Sequence, residues 1–309
     1  MDIMKNKFNL TLVFIFLLML STSCAKAQKS YNTDNPAYII YNSSGKKVSY
    51  NEMVRSLTST DICFFGELHN DPISHWLELS LIKDFYEIKR ENLVVGAEMW
   101  ERDNQIVLDE MMNDEYVDMN TYIASSVLWP NFKTDYLPIL KYAQDKKIKF
   151  VATNIPRRYA RIVSKRGEAA LDSLTDLAKS YIAPLPIHMD LKDKFYNYIA
   201  DVFKETQQSP MTGGSLTNIV KAQMVKDATM AHSIVTNMDK DSFFFHFNGE
   251  LHSAFGSGIG YYIKHYNSKL KFKSVSIIKK VNIFEFSSKE SRADFNIVVP
   301  HNMGVSYDN

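Results

Sequence analysis

The sequence DICFFGELH, residues 61–69, places the tetrapeptide Gly-Glu-Leu-His directly after a short apolar run. A continuous apolar run of this length is typical of a strand that is buried on both faces of a parallel sheet. Residues 242–252, SFFFHFNGELH, repeat the pattern near the other end of the chain. Two further apolar runs end on a polar residue: LVVGAE at residues 93–98 and IKFVATN at residues 148–154. These four runs predict four buried strands of one sheet.

Segments whose apolar residues have helical spacing separate the predicted strands. Residues 71–90 follow the first run, with Asp71 placed as an N-cap and Pro72 at the first helical position. Residues 134–147 and 155–167 show the same periodicity on either side of a predicted strand. Strands that alternate with helices in this way indicate βαβ units and hence an α/β protein.

The extent of the domain follows from the same patterns. We expect a single α/β domain over residues 46–300, with a mostly parallel sheet, helices on both faces and a helical insertion. The insertion is the mainly helical segment 168–239, and residues 301–309 form a tail. Late strands are predicted at residues 271–278, 280–286 and 295–299.

The first 24 residues have the organisation of an export signal. Two lysines precede a mainly apolar stretch at residues 8–20, and small residues then lead to Cys24. LSTSC resembles a bacterial lipobox, so we predict a lipoprotein signal peptide at residues 1–24, lipidation of Cys24 and a tether at residues 25–45. The protein is then expected to be exported and lipid-anchored, in the outer membrane. The alternative is an ordinary signal peptide with an incidental cysteine.

Charge and cysteine content exclude two other classes of protein. The chain has 36 Lys and Arg residues and 35 Asp and Glu residues, so its net charge gives no strong positive potential that would attract nucleic acid. Cys63 is the one cysteine besides Cys24, and a single thiol forms no intramolecular disulfide. We expect Cys63 to be a small buried residue of its strand.

The predicted strand ends carry a mixed set of carboxylates and imidazoles. Glu67, His69, Glu98 and His252 would meet at one edge of a parallel sheet, where ligands gather. Imidazole and carboxylate ligands suit Mn, Zn or Co, and a metal-bound water has its pKa lowered toward neutrality. The four residues are therefore candidate metal ligands and, if the protein is an enzyme, candidate catalytic residues. A hydrogen-bond network that holds loops is the alternative use of such residues.

A basic helix is predicted directly after the fourth strand, in NIPRRYARIVSKRG. Asn154, Arg157, Arg158 and Tyr159 are candidate ligand-binding residues, because arginines can clamp the carboxylates or phosphates of a ligand. Tyrosine is also an axial ligand of ferric haem, and the absence of a CxxCH motif excludes covalent haem attachment. A solvated helix face is the alternative reading of this basic stretch.

Five segments in order resemble the ChaN-like lipoproteins, a family grouped with the Tiki and TraB proteins and more distantly similar to erythromycin esterases. The match spans roughly residues 61–263. Its segments are FFGELHNDPISH, VVGAEMWERDNQ, LWPNFKTDYLPILKYAQDKKIKFVATNIPRRYARIVSKRG, AQMVKDATMAHSIV and HFNGELHSAFGSGIGYYI. The resemblance implies an α/β fold and a haem-binding role in iron acquisition. From the Tiki side it implies divalent-metal-dependent hydrolysis by GxxH and Glu residues. Glu250 departs from the pattern of the second copy.

Two functions are therefore weighed, and a surface lipoprotein whose ancestral site is now structural is a third possibility. The first is a haem-binding lipoprotein of haem and iron uptake, with non-covalent haem, the membrane, an outer-membrane haem receptor and a second copy of the chain as expected partners. The second is a metal-dependent hydrolase of ester or peptide bonds that uses Glu67, His69, Glu98 and His252 around one divalent ion.

Overall fold

The computed structural model describes residues 35–113, 117–205 and 214–307. The chain divides into two units, Met1–Pro36 and Ala37–Asn309, and the second is described here. The predicted signal peptide with Cys24 and the first part of the predicted tether lie outside the described residues. Within the described ranges, no helix is both long and apolar enough to cross a membrane.

A seven-stranded sheet forms the centre of the domain, in the order β1-β7-β6-β2-β5-β3-β4. β1 is antiparallel to β7, and all other neighbours are parallel. The strands are β1 (Ile39–Asn42), β2 (Ile62–Glu67), β3 (Leu93–Glu101), β4 (Lys149–Asn154), β5 (Phe243–Gly249), β6 (Phe272–Lys280) and β7 (Phe295–Pro300). The four strands predicted from apolar runs are confirmed as β2, β3, β4 and β5, and they are neighbours in the sheet.

Ten α-helices are found in the described residues, and they cover both faces of the sheet. They are α1 (Tyr50–Leu57), α2 (Pro72–Lys89), α3 (Gln105–Met112), α4 (Met119–Ser125), α5 (Leu137–Asp145), α6 (Arg157–Arg166), α7 (Asp176–Ser180), α8 (Lys194–Glu205), α9 (Leu216–Thr236) and α10 (Ile259–Tyr266). α2 begins as predicted, because the side chain of Asp71 accepts a hydrogen bond of 2.9 Å from the Ser74 N–H.

The two faces of the sheet build two separate apolar cores. Phe243, Phe245 and Phe247 of β5 pack with α1 to α5, whereas Phe244 packs with α8, α9 and α10 on the opposite face. Successive side chains of a strand point to opposite faces, so a strand covered by helices on both sides must be apolar at every position. Every residue of β2 is accordingly buried. The predicted fold class, a mostly parallel sheet with helices on both faces, is confirmed.

The structure differs from the sequence-based prediction in three segments. β1 lies inside the segment 25–45 that was expected to be a tether, because residues 39–42 pair with the edge of the sheet. Residues 280–286 were predicted as a strand, but after Lys280 they form turns and irregular structure. Within 168–239, residues 181–193 are irregular rather than helical.

The described part of the predicted tail, residues 301–307, is packed on the domain. The Ser306 N–H donates to the carbonyl oxygen of Asn70 at 3.0 Å, and its hydroxyl donates to Asp135 Oδ2 at 2.5 Å. Burial and the nearby carboxylates of Glu67 and Asp135 raise the pKa of Tyr307. This segment therefore lies beside the carboxyl end of β2.

Candidate functional site

Three strands bring their polar residues together around Gly249, the last residue of β5. The Gly249 N–H donates a hydrogen bond of 2.9 Å to Glu98 Oε2. A Cβ at position 249 would lie 2.8 Å from His69 Nε2 and 3.3 Å from Glu98 Oε2. Glycine allows this close approach, since a side chain at position 249 would require the imidazole of His69 to shift. The position where Gly249 approaches His69 and Glu98 marks a crevice at the edge of the sheet where the parallel strands end.

One side of the crevice is the pair Glu67 and His69. His69 Nδ1 lies 2.8 Å from Glu67 Oε1, and the Tyr136 hydroxyl donates to the same oxygen at 2.6 Å. Burial alone would raise the pKa of Glu67, but the bond from His69 and the charges of His75 and His69 lower it overall. Burial would lower the pKa of His69, yet Glu67 raises it. The side chain of His69 is 37% exposed and Glu67 is fully buried, so the imidazole faces the opening.

The other side of the crevice is a chain of hydrogen bonds through His252. His252 Nε2 lies 3.2 Å from Glu98 Oε1, and its Nδ1 lies 2.5 Å from Asp227 Oδ1. Asp227 Oδ2 accepts a bond of 2.7 Å from the Tyr196 hydroxyl, and Lys226 Nζ lies 3.8 Å from Glu98 Oε1. Burial opposes the protonated imidazole, but the two carboxylates raise the pKa of His252 to about 9. His252 is therefore a cation at neutral pH.

The same interactions determine the pKa values of Glu98 and Asp227. Burial would raise the pKa of Glu98, but His252, Lys226 and His69 hold it well below its usual range. The pKa of Asp227 is raised by burial, which His252 and Tyr196 only partly offset. Glu98 is thus ionised and faces two imidazoles across the crevice.

A second cluster lies beneath the first, on the inner face of α2. His75 Nδ1 is 3.0 Å from Glu78 Oε2 and 3.9 Å from Glu67 Oε2, while its Nε2 is 3.4 Å from Asp135 Oδ2. Burial and the charge of Glu67 raise the pKa of Glu78 well above its usual value. Glu67, His75 and Glu78 each offer one ligand atom, and these atoms lie within 4.8 Å of one another. Within the described ranges this is the one group of metal-binding side chains that meets that distance.

The structure thus brings together the four residues singled out at the strand ends. Glu67, His69, Glu98 and His252 all face the crevice, although the compact metal-binding group shares only Glu67 with them. Their assignment as metal ligands or catalytic residues stays a prediction. The second Gly-Glu-Leu-His copy contributes its histidine but not its glutamate, because Glu250 Oε1 accepts a bond of 3.1 Å from Arg292 outside this pair of clusters.

The basic helix is α6, and it is separate from the crevice histidines. Arg157 and Arg158 are exposed and form ion pairs with Glu101 and Asp103, respectively. The Arg158 guanidinium lies 4.5 Å from the centre of the Tyr159 ring and donates to its hydroxyl at 3.2 Å.

Beside these residues runs a shallow groove along α6. Arg157, Arg158, Arg161, Ile162, Lys165 and Arg166 line the groove. Asn154 does not join it, because its side-chain amide donates to the carbonyl oxygen of Glu98 at 3.0 Å and holds β4 against β3.

Sequence reasoning missed several partners of the crevice. Asp227 and Tyr196 lie in helices far from the strand ends, and no local pattern connects them to His252. Glu78 could have been recognised as a partner of His75 from the sequence. It follows His75 by three residues, and residues at this spacing share a helix face. Tyr136 sits in the π-helical turn Phe132–Tyr136, and such turns are frequent at functional sites.

The fold is similar to that of a solved structure. ChaN of Campylobacter jejuni, whose structure shows cofacial haem binding, matches with a TM-score of 0.66 and 18% identity over 86% of this chain and 98% of that chain. A protein of Bacillus cereus gives a TM-score of 0.43 and 12% identity over 75% of this chain and 70% of its own. An erythromycin esterase in its open conformation gives 0.43 and 12% over 84% and 83%. No curated protein matches.

A family model covers most of the domain. The model is described as haem-binding uptake, Tiki superfamily, ChaN, and it matches residues 53–263. This range includes β2 to β5 and every residue of the two clusters. The segment 301–307 that packs beside them lies outside the range. The match extends over more than half of the chain. The chain belongs to the ChaN family of the Tiki superfamily.

Proposed function

We propose that this protein binds haem without a covalent bond and serves haem and iron uptake. The observation that carries the proposal is membership of a family described by haem-binding uptake. The related ChaN of Campylobacter jejuni binds haem cofacially. In this chain the α6 groove has exposed cations and an aliphatic side chain, and the Tyr159 hydroxyl accepts a hydrogen bond from Arg158 beside it, which is chemistry that suits a haem edge.

The cations of the groove fall into two groups. Arg157 and Arg158 are already paired with carboxylates. Among the ion pairs found in the described residues, none includes Arg161, Lys165 or Arg166. The unpaired three can bind haem propionates without first breaking an ion pair, so we assign the propionate contacts to Arg161 and Lys165, with Tyr159 as the candidate iron ligand.

The first experiment tests whether Tyr159 is the iron ligand. Haemin is titrated into the soluble protein that starts after Cys24, and the Soret band and charge-transfer bands are recorded. Tyr159→Phe removes only the hydroxyl, so we expect the phenolate charge-transfer bands to disappear. Tyr142→Phe is the matched control, since Tyr142 is a half-buried tyrosine of α5 outside the groove. Identical spectra and affinities for the wild type and Tyr159→Phe would exclude this ligand.

A second experiment tests the propionate contacts. The double variant Arg161→Ala/Lys165→Ala should bind haemin about 10-fold more weakly or worse, because it loses at least one charge-assisted contact of about 1.5 kcal/mol. Haemin dimethyl ester carries no propionate charge and should bind the wild type and the double variant alike. Equal losses for haemin and its ester would show that the cations do not contact the propionates.

The proposal extends to the location and assembly of the protein. We infer that Cys24 carries a lipid, that the domain is held at the outer membrane, that it passes haem to or from a receptor there, and that two copies associate on haem. Radiolabelled palmitate should enter the wild type and not Cys24→Ser. Sedimentation velocity with and without haemin tests the dimer, and a monomer at saturating haemin would refute it.

A second candidate function is hydrolysis of an ester or peptide bond. It is favoured by the convergence of Glu67, His69, Glu98 and His252 on one crevice with a protonated His252. A histidine cation can act as a general acid and a histidine paired with a carboxylate as a general base. A His69→Ala/His252→Ala double variant should lose all turnover of an ester or peptide panel. Turnover equal to the wild type would rule out this site.

A further inference from the structure

The cluster beneath the crevice contains buried acceptor atoms that no donor satisfies. Glu67 Oε2 and Glu78 Oε1 have no hydrogen-bond partner, and the two residues are 1% and 0% exposed. Asn131 Oδ1 is a third such atom beside them. A buried carboxylate oxygen without a donor is costly, so buried charges are normally paired or bound to a metal.

Further acidic side chains surround this point. Glu67, Asp135 and Asp71 all act electrostatically on Glu78. A fixed cation at the edge of the cluster is Lys279, whose Nζ lies 3.7 Å from Asp71 Oδ2. A metal ion bound between Glu67 and Glu78 would add positive charge beside these acids.

The imidazole of His75 shows where that charge belongs. Its Nε2 lies 3.2 Å from the carbonyl oxygen of His69 and 3.4 Å from Asp135 Oδ2, and both partners are acceptors. Nε2 must therefore carry a hydrogen. Nδ1 faces the carboxylate oxygens of Glu78 and Glu67 at 3.0 and 3.9 Å, so either a second proton on the imidazole or a bound cation must lie between them.

We propose that Glu67 Oε2, His75 Nδ1 and Glu78 bind a divalent transition-metal ion, of the class of Mn²⁺, Fe²⁺ or Zn²⁺. Tetrahedral ligands at about 2.1 Å from an ion are about 3.4 Å apart, and the observed separations of 3.0 and 3.9 Å bracket this value. Two carboxylates with one imidazole favour these ions over Mg²⁺ and Ca²⁺, which prefer oxygen alone.

The surroundings supply the orientation that metal ligands need. His75 and Glu78 stand three residues apart on α2, so the helix fixes their relative positions. The Nε2–H of His75 is held by a carbonyl and a carboxylate, the usual outer partners of a metal-bound histidine. Glu67 links the ion to the crevice, since its other oxygen holds His69 and Tyr136. The site goes beyond haem binding and would be occupied without haem.

Metal content tests the proposal directly. The full soluble domain is stripped with a chelator, titrated with Zn²⁺ and separately with Mn²⁺, and assayed by elemental analysis and calorimetry. We expect about one ion per chain in the wild type. Glu78→Gln keeps the size of the side chain but removes the anionic ligand, and should weaken binding at least about 10-fold.

Glu250→Gln is the matched control, because Glu250 is a buried glutamate that accepts a hydrogen bond from Arg292 outside both clusters. Undiminished metal binding by Glu78→Gln, or an equal loss in Glu250→Gln, would overturn the proposal. Crystals of the wild type soaked in Zn²⁺ give an independent reading if Glu78→Gln does not fold. An anomalous peak within bonding distance of His75 Nδ1 and Glu78 supports the site, and a peak elsewhere or none refutes it.

Discussion

His252→Gln should flatten the dependence of stability on pH above neutrality. In the native protein, burial opposes the charged imidazole but Glu98 and Asp227 outweigh it and raise the pKa of His252 to about 9. In the unfolded chain the histidine has its ordinary pKa of 6.5. A pKa raised by folding stabilises the protein fully below the unfolded pKa, and this stabilisation is lost as the pH rises through the folded pKa.

The size of the effect follows from the separation of the two pKa values. Between pH 6.5 and about 9 the native protein holds one proton that the unfolded chain releases. The free energy of unfolding should therefore fall by about 1.4 kcal/mol per pH unit from this group, or roughly 3 kcal/mol across the window. Groups that do not contact His252 titrate alike in the wild type and the variant, so they cancel in the comparison.

Urea unfolding in metal-free buffer at several pH values between 6 and 9.5 measures the slope. His246→Gln is the control, because burial above all lowers the pKa of His246 to about 4 and keeps it neutral throughout the window. We expect the wild type and His246→Gln to share a slope and His252→Gln to be less steep. Equal slopes in the wild type and His252→Gln would refute the assigned charge on His252.

Three further substitutions test other parts of the structure. Gly249→Ala should shift the nuclear magnetic resonance signals of His69, because the new Cβ would lie 2.8 Å from its ring, while the free energy of unfolding falls by no more than about 1–3 kcal/mol. Phe245→Ala should cost roughly 3–5 kcal/mol in urea unfolding, since this fully buried ring stands between the sheet and α2. Ser306→Ala should cost about 1 kcal/mol by the same assay through loss of its bond to Asp135, and no change would show that the 301–307 segment is held by other contacts.

The position of the crevice could be predicted because its strand-end residues follow apolar runs. Glu67 and Gly249 close strands that are buried on both faces, and the carboxyl ends of parallel strands share one edge of the sheet. Glu98 lies within β3, which continues to Glu101 past an irregularity after Ala97. Such a bulge re-aims side chains, and the apolar pattern alone does not reveal it.

The partners of the crevice could not be predicted because they depend on how helices pack. Asp227 lies in the middle of α9 and reaches His252 through the packing of that helix against the sheet. His75 and Glu78 share a readable spacing, but the spacing does not show that their face of α2 turns toward Glu67. These contacts form only when helices pack against the sheet, and no local sequence pattern predicts how they pack.

The error at residues 280–286 has a similar origin. Alternating aromatic residues in this segment have the composition of a strand. In the structure Phe284 and Phe286 instead pack around Tyr41 and Ile283 in a small cluster at the edge of the sheet. That edge is already occupied by β1, a four-residue strand too short to have been recognised in the sequence.

The antiparallel direction of β1 determines at which edge of the sheet this strand begins. Ile39 pairs with Val298 and Asn42 with Phe295, so β1 begins at the edge of the sheet where β7 and its parallel neighbours end. This start point is three strands from β2, or about 14 Å. β1 therefore begins at the edge of the sheet that carries the crevice, so its first residues and the crevice residues share one end of the domain.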